Sequence, residues 1–257
     1  MELRHLGSTG IDVSPLGLGT VKIGRNEQVK YPQGFEIPGD QAVRRLFELA
    51  RELGINFIDT APAYGSSEER LGQLLPNRND WVIMTKVGEI FEKGESRFDF
   101  SAGHTRRSVE NSLSKLRRDH VDIVLVHSDG NDMDIINNRV ALEELLRLKQ
   151  EGLIRAYGMS TKTVEGGSWI VEHTDVVMAT YNLETDVELP VIERAHELNK
   201  GVVIKKGLQS GHAASVEDAF RLVLTRPGVS SMIVGTINAD HLRSNVDACN
   251  RVINNMV

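Results

Sequence analysis

"NFIDTAPAYGSSEERLGQLL", residues 56–75, decides how the chain is read. An apolar run ends in a carboxylate, Asp59, a phenol follows in the loop at Tyr64, and "SEERLGQLL" then reads as a helix. A buried strand that terminates in an acid needs a reason, and the rest of the chain supplies one by repeating the same strand–loop–helix unit.

Strand-like runs alternate with helical runs from end to end: "VSPLGLGT", "NFIDTA", "WVIMTKV", "VDIVLVHS", "IRAYGMST", "VVMATYN", "GVVIKKG" and "SSMIVGT", each followed by a helical stretch. The strands are short apolar runs without polar alternation, as expected of parallel strands covered on both faces. The helices carry a one-faced period: Val43, Leu46, Ala50 and Leu53 in the first, Val109, Leu113 and Leu116 in the third. Gly54, Gly152 and Gly201 sit where helices are expected to stop. Eight such units in 257 residues predict an α/β fold, a (β/α)8 TIM barrel over residues 1–257 as a single domain. A doubly wound open sheet is the competitor, but "GLGTVKIG" lacks the spacing of a dinucleotide-binding glycine turn. The opening "LRHLGSTGIDVSPLG" predicts a short N-terminal β-hairpin at the barrel bottom, and "KIGRNEQVKYPQGFEIPGD" a long loop at the active end.

The formal charge of −6 argues against a nucleic-acid partner, which needs a concentrated positive field. No run of about 18 apolar residues predicts a membrane span, and the first ten residues lack a secretion signal's apolar core. A cytoplasmic monomer is expected. The one cysteine, Cys249, excludes an internal disulfide and reads as a buried structural thiol. Trp81 and Trp169 read as core. No clustered His/Cys spacing points to a metal.

In such barrels the chemistry gathers at the C-terminal ends of the strands. Asp59, Lys86 and His127 end the second, third and fourth strands, and Tyr64 lies just beyond the second. Each alone has a bland explanation: a turn-forming Asp, a snorkelling Lys, a packed Tyr, a core His. Together they are harder to dismiss. A buried Lys86 and Asp59 need each other, and the ammonium is expected to favour the phenolate and lower the Tyr64 pKa from about 10. Such a phenol can deliver a proton to a carbonyl oxygen as it gains charge.

"GINFIDTAPAYGSSEERLGQLL", "VIMTKVG", "SVENSLSKLRRDHVDIVLVH", "GLIRAYGMST", "YNL" and "IVGTINADHLRSN" resemble, in order, the sequence blocks of the aldo-keto reductase family, across nearly the whole chain. The resemblance implies a barrel that binds NADPH, with NADH possible, across its strand ends, and hydride transfer to a small-molecule aldehyde or ketone. It implies Tyr64 as general acid, Lys86 and Asp59 as its activating pair, and His127 as the donor that orients the carbonyl. It also implies a cofactor wall of Gly19, Thr20, Val21, Asp59, Ser160, Thr161, Met178, Lys205, Leu208, Ser210, Gly235, Thr236, Asn238, His241 and Asn245.

Several of these depart from the family pattern. Thr161 stands for Asn, Met178 for Gln, Lys205 for a stacking Tyr, and Gly235 and His241 for the cations that face an adenosine 2′-phosphate; Lys22, Arg25 or Arg243 are candidates to compensate. The alternative reading is a non-catalytic NADP(H)-binding sensor or partner-binding protein on the same fold. A Schiff-base role for Lys86 is disfavoured, because pairing with Asp59 keeps the amine protonated.

Overall fold

A computed structural model describes residues 1–29 and 31–255. The chain opens with a two-stranded hairpin, β1 (Arg4–His5) and β2 (Asp12–Val13), and then enters β3 (Leu16–Gly19). There follow α1 (Val21–Gly24), α2 (Asp40–Glu52), β4 (Phe57–Asp59), α3 (Ser67–Leu74) and β5 (Val82–Val87). A second hairpin, β6 (Glu89–Glu92) and β7 (Glu95–Phe98), interrupts the alternation before α4 (Ala102–Leu116) and β8 (Val121–His127). Next come α5 (Asp132–Asn138), α6 (Val140–Gln150), β9 (Ile154–Ser160), α7 (Val164–His173), β10 (Val176–Thr180) and α8 (Leu189–Glu197). The chain closes with β11 (Gly201–Lys205), α9 (Val216–Leu224), β12 (Val229–Val234) and α10 (Ala239–Asn254).

Eight strands close into a parallel barrel in the order β3-β4-β5-β8-β9-β10-β11-β12 and back to β3, the (β/α)8 architecture expected. Residues alternate between two cores. Phe57, Val82, Met84, Ile123, Leu125, Ala156, Val176, Met178 and Val203 point inward, while the opposite faces of the strands pack against the helices. The hairpin β1–β2 turns Leu6, Ile11 and Val13 into that inner core and plugs one end, so chemistry is confined to the other. On α2, Val43, Leu46, Phe47, Leu49 and Ala50 are buried; on α4, Val109, Leu113 and Leu116 are. No helix among the described residues is long and apolar enough to cross a membrane.

Two local expectations, for Gly201 and Trp169, need correction. Gly54 and Gly152 end helices in the left-handed region, but Gly201 begins β11, and Asn199 at φ 51° takes the left-handed place after α8. Trp81 is core, whereas Trp169 is only partly buried and stacks on His173 at 3.9 Å. The stretch around "ESRFDF" is the hairpin β6–β7, whose turn residues Lys93 and Gly94 both have positive φ. Cys249 is fully buried, and burial pushes its thiol up to about 11, far from a reactive thiolate.

Candidate active site

Asp59 and His127 are the last residues of β4 and β8 and Lys86 the last but one of β5, three neighbouring strands of the barrel. Backbone bonds fix the end of β4: Thr20 gives both its amide (3.0 Å) and its hydroxyl (2.8 Å) to the Asp59 carbonyl, and Thr60 N donates to Met84 O. The Asp59 side chain then faces Lys86, whose Nζ lies 2.5 Å from Oδ1, 2.9 Å from Thr60 O and 3.2 Å from the Tyr64 hydroxyl. Lys86 is 2% exposed and Asp59 5%, so the pair is desolvated. His127 stands beside the phenol, ring edge to face, with centroids 6.4 Å apart. The four expected groups therefore converge at one mouth of the barrel.

Tyr64 is aimed by a short helical turn, Pro62–Tyr64, that ends at Gly65. Gly65 has φ +62°, and a Cβ there would lie 2.2 Å from Gly24 O. Only glycine fits both the backbone conformation and the close crossing of α1. Gly65→Ala is expected to push the Tyr64 turn off α1 and to cost about 2 kcal/mol or more. Urea unfolding checks the stability, and an unchanged denaturation midpoint counts against this view of the turn.

The charge balance differs from expectation in one respect. Tyr64 is pushed up to about 12: burial raises it, Asp59 and Glu89 add to that, and Lys86 offsets only part. The expected lowering by Lys86 is thus outweighed by desolvation, and the phenol holds its proton at neutral pH. Lys86 itself is held up at about 12; burial opposes its charge, but Asp59 and Tyr64 outweigh burial. This is the protonated amine that disfavours Schiff-base chemistry.

A fifth group escaped the sequence reading. Glu89, the first residue of β6, places Oε2 2.8 Å from His127 Nδ1, although the ring is not turned for a straight hydrogen bond. Its Oε1 accepts from Ser96 Oγ at 2.7 Å and lies 3.7 Å from Arg25. Burial alone would raise the Glu89 pKa, but His127, Ser96 and Arg25 together hold it at about 2. The His127 pKa is lowered, first by burial and then by Lys86 and Lys205, with Glu89 opposing.

On the expected cofactor wall, Gly19 ends β3 beside Gly235, with 3.5 Å between a Cβ on the first and the Cα of the second. Two side chains border this β3–β12 seam: a Cβ on Gly19 would lie 3.0 Å from Ile233, and one on Gly235 3.1 Å from the Tyr31 hydroxyl. Tyr31 belongs to the long loop expected at this end, where the Lys22 ammonium sits 3.9 Å over its ring. Val21 opens α1. Beyond the seam, Thr236 Oγ1 accepts from Asn238 N, and Asn238 Oδ1 caps α10 by accepting from Asp240 N and His241 N. Asn245 lies buried further along α10. Leu208 and Ser210 follow β11, Ser210 at φ 59°.

Other positions have their side chains committed within the protein. The Thr20 hydroxyl holds Asp59, the Thr161 hydroxyl donates to Glu188 at 2.9 Å, and Met178 is buried in the inner core. Lys205 does not lie free to cover a ring. Its Nζ turns to Ser160 Oγ at 2.9 Å and to Thr161 O, and burial pushes it down to about 8. Glu188 anchors this side by also accepting from Thr180 N. Neither Glu89 nor Glu188 stands at the end of an apolar run, which is the signal that found the others.

Comparison with known proteins bears on the family and the fold. The model of the family described as "Aldo/keto reductase family" matches residues 15–218. A solved Pseudomonas aeruginosa chain classed with the aldo-keto reductases superposes with a TM-score of 0.91 at 55% identity, over 98% of this chain and 95% of that one. The oxidoreductase YqkF of Bacillus subtilis, whose function is uncharacterized, is 27% identical over 97% of this chain and 92% of its own length. L-galactose dehydrogenase of Arabidopsis thaliana is 29% identical over 96% of this chain and 88% of its own length.

Proposed function

This chain belongs to the aldo-keto reductase family of oxidoreductases, and on that premise we propose that it reduces an aldehyde or ketone to an alcohol, with Tyr64 as the proton donor. The observation that carries the reading is the unbroken chain from Asp59 through Lys86 to the Tyr64 hydroxyl, at 2.5 and 3.2 Å, beside His127 at the C-terminal mouth of the barrel.

Family members use nicotinamide cofactors, and the residues fit one. Gly19 and Gly235 add no side chain of their own at the β3–β12 seam, the Tyr31 hydroxyl beside Gly235 offers a polar contact, and the N-terminus of α10 suits a phosphate. Gly19, Val21, Ser160, Leu208, Ser210, Gly235, Asn238 and His241 would hold it. A bound reduced nicotinamide supplies the hydride. The protein supplies the proton. Tyr64 gives its O–H proton to the carbonyl oxygen as the carbon accepts the hydride, and Lys86 stabilises the phenolate left behind. Asp59 keeps Lys86 charged and in place. His127 meets the same oxygen from the other side and orients it.

NADPH is the favoured cofactor, with NADH possible. Gly235 and His241 stand where cations grip the 2′-phosphate in many relatives, so the preference is expected to be modest. His241→Arg is expected to tighten NADPH about tenfold and leave NADH unchanged, since a guanidinium pairs with phosphate through two hydrogen bonds. Fluorescence titration with each cofactor measures it, and an equal gain for both would place His241 away from the phosphate. The function itself is tested by adding NADPH or NADH with short aldehydes, sugars and dicarbonyls. Oxidation of the cofactor is expected with at least one of them; none with any would defeat the assignment.

A further inference from the structure

The hairpin β6–β7 is an insertion between β5 and α4, and the mechanism above makes no use of it. Its first residue nevertheless places a carboxylate oxygen 2.8 Å from the His127 ring. We propose that Glu89 is a positioning residue: by occupying the Nδ1 edge of His127 it commits the Nε2 edge to the substrate oxygen. The proposal rests on the carbonyl-reducing reading of the mouth.

Three observations support it. Glu89 Oε2 lies 2.8 Å from Nδ1, with the two side chains 13% and 21% exposed, so little water competes for the contact. The carboxylate is itself fixed from behind, by the Ser96 hydroxyl at 2.7 Å and the Arg25 guanidinium at 3.7 Å. Arg25 is in turn held over the Phe91 ring at 3.4 Å and donates to Ala63 O in the turn that carries Tyr64. The hairpin, the Tyr64 turn and His127 thus form one connected unit.

The chemistry follows from the proton inventory of imidazole. An anionic oxygen 2.8 Å from Nδ1 repels a lone pair there and favours a proton, even though the ring is not turned for a straight hydrogen bond. In neutral His127 that is the ring's single proton, and Nε2 is then a bare acceptor. In the imidazolium both nitrogens donate, and Nε2–H can support a carbonyl oxygen as it gains charge. Reduction therefore draws on the protonated ring, whereas the neutral ring suits an alcohol hydroxyl in the reverse direction. The charged and titratable groups around the ring are Lys86 from β5, Lys205 from β11, Tyr64 from its turn and Glu89 from β6, with Arg25 behind Glu89. Both lysines oppose the imidazolium, and Glu89 is the group that favours it.

The test uses the full chain and two readouts. Imidazole 15N spectra with NADPH bound are expected to show neutral His127 as the Nδ1–H tautomer; the Nε2–H tautomer would overturn the proposal. This readout does not depend on turnover, so it stands even if the functional reading fails. In the second readout, kcat for reduction is expected to fall as pH rises through the His127 pKa. Glu89→Gln removes the favouring charge, so the limb is expected to move to lower pH by about one unit. Glu89→Asp is expected to restore most of the shift, Ser96→Ala to move the limb part of the way, and none of the three to change the cofactor Kd more than about twofold. A lowered kcat with an unmoved limb would mean that Glu89 merely supports the hairpin, and would overturn the proposal.

Discussion

Replacing Tyr64 with phenylalanine is expected to lower kcat for carbonyl reduction by about a hundredfold to ten-thousandfold while leaving the cofactor Kd within about twofold, since positioned proton transfer contributes on that scale. The substitution removes one oxygen and keeps the ring, so the edge-to-face contact with His127 survives. Burial holding the phenol near 12 does not weaken the expectation. The oxygen of a carbonyl receiving hydride becomes an alkoxide, a far stronger base than a phenolate, so the transfer still runs downhill. A high pKa keeps the proton on Tyr64 until that charge develops, and Lys86 at 3.2 Å then stabilises the phenolate. Stopped-flow reduction with the variant and the parent decides the matter. Turnover within tenfold of the parent would transfer the acid role to another group, Lys86 at 3.2 Å from the hydroxyl or His127 beside the ring.

Lys86→Met is expected to show a different signature: a stability loss of about 3–5 kcal/mol together with the loss of turnover. The methionine leaves the Asp59 carboxylate buried without its cation, and an uncompensated buried charge is costly. The double variant Lys86→Met with Asp59→Leu removes both charges and is expected to recover most of the stability but none of the activity. Urea unfolding and kcat measured on the same preparations separate the two contributions. If the double variant recovers turnover as well, the pair serves only the fold.

The barrel was legible because its physics is written locally. A parallel strand covered on both faces must be apolar throughout, so "VDIVLVH" could not be a solvent-facing strand, and eight such runs leave few architectures. The same rule exposed the site: a charged residue at the end of an otherwise buried run, such as Lys86 or His127, violates the pattern and asks for a function. Glu89 carried no such mark. "EIFEKGESRF" reads as a charged surface stretch, and its decisive contact is with a residue 38 positions later. The Lys93–Gly94 pair was nevertheless a turn signal, and the hairpin follows from it. The direction of the Tyr64 shift was missed for a related reason. The neighbouring cation is visible in the sequence, but the degree of burial that outweighs it is a property of the assembled mouth.

The plug formed by Leu6, Ile11 and Val13 has a practical corollary. Because this hairpin seals the floor, any segment joined ahead of Met1 emerges on the side away from the four polar groups. Tethering the molecule to a solid support through that terminus is therefore expected to leave the mouth that carries Asp59, Tyr64, Lys86 and His127 facing the solution.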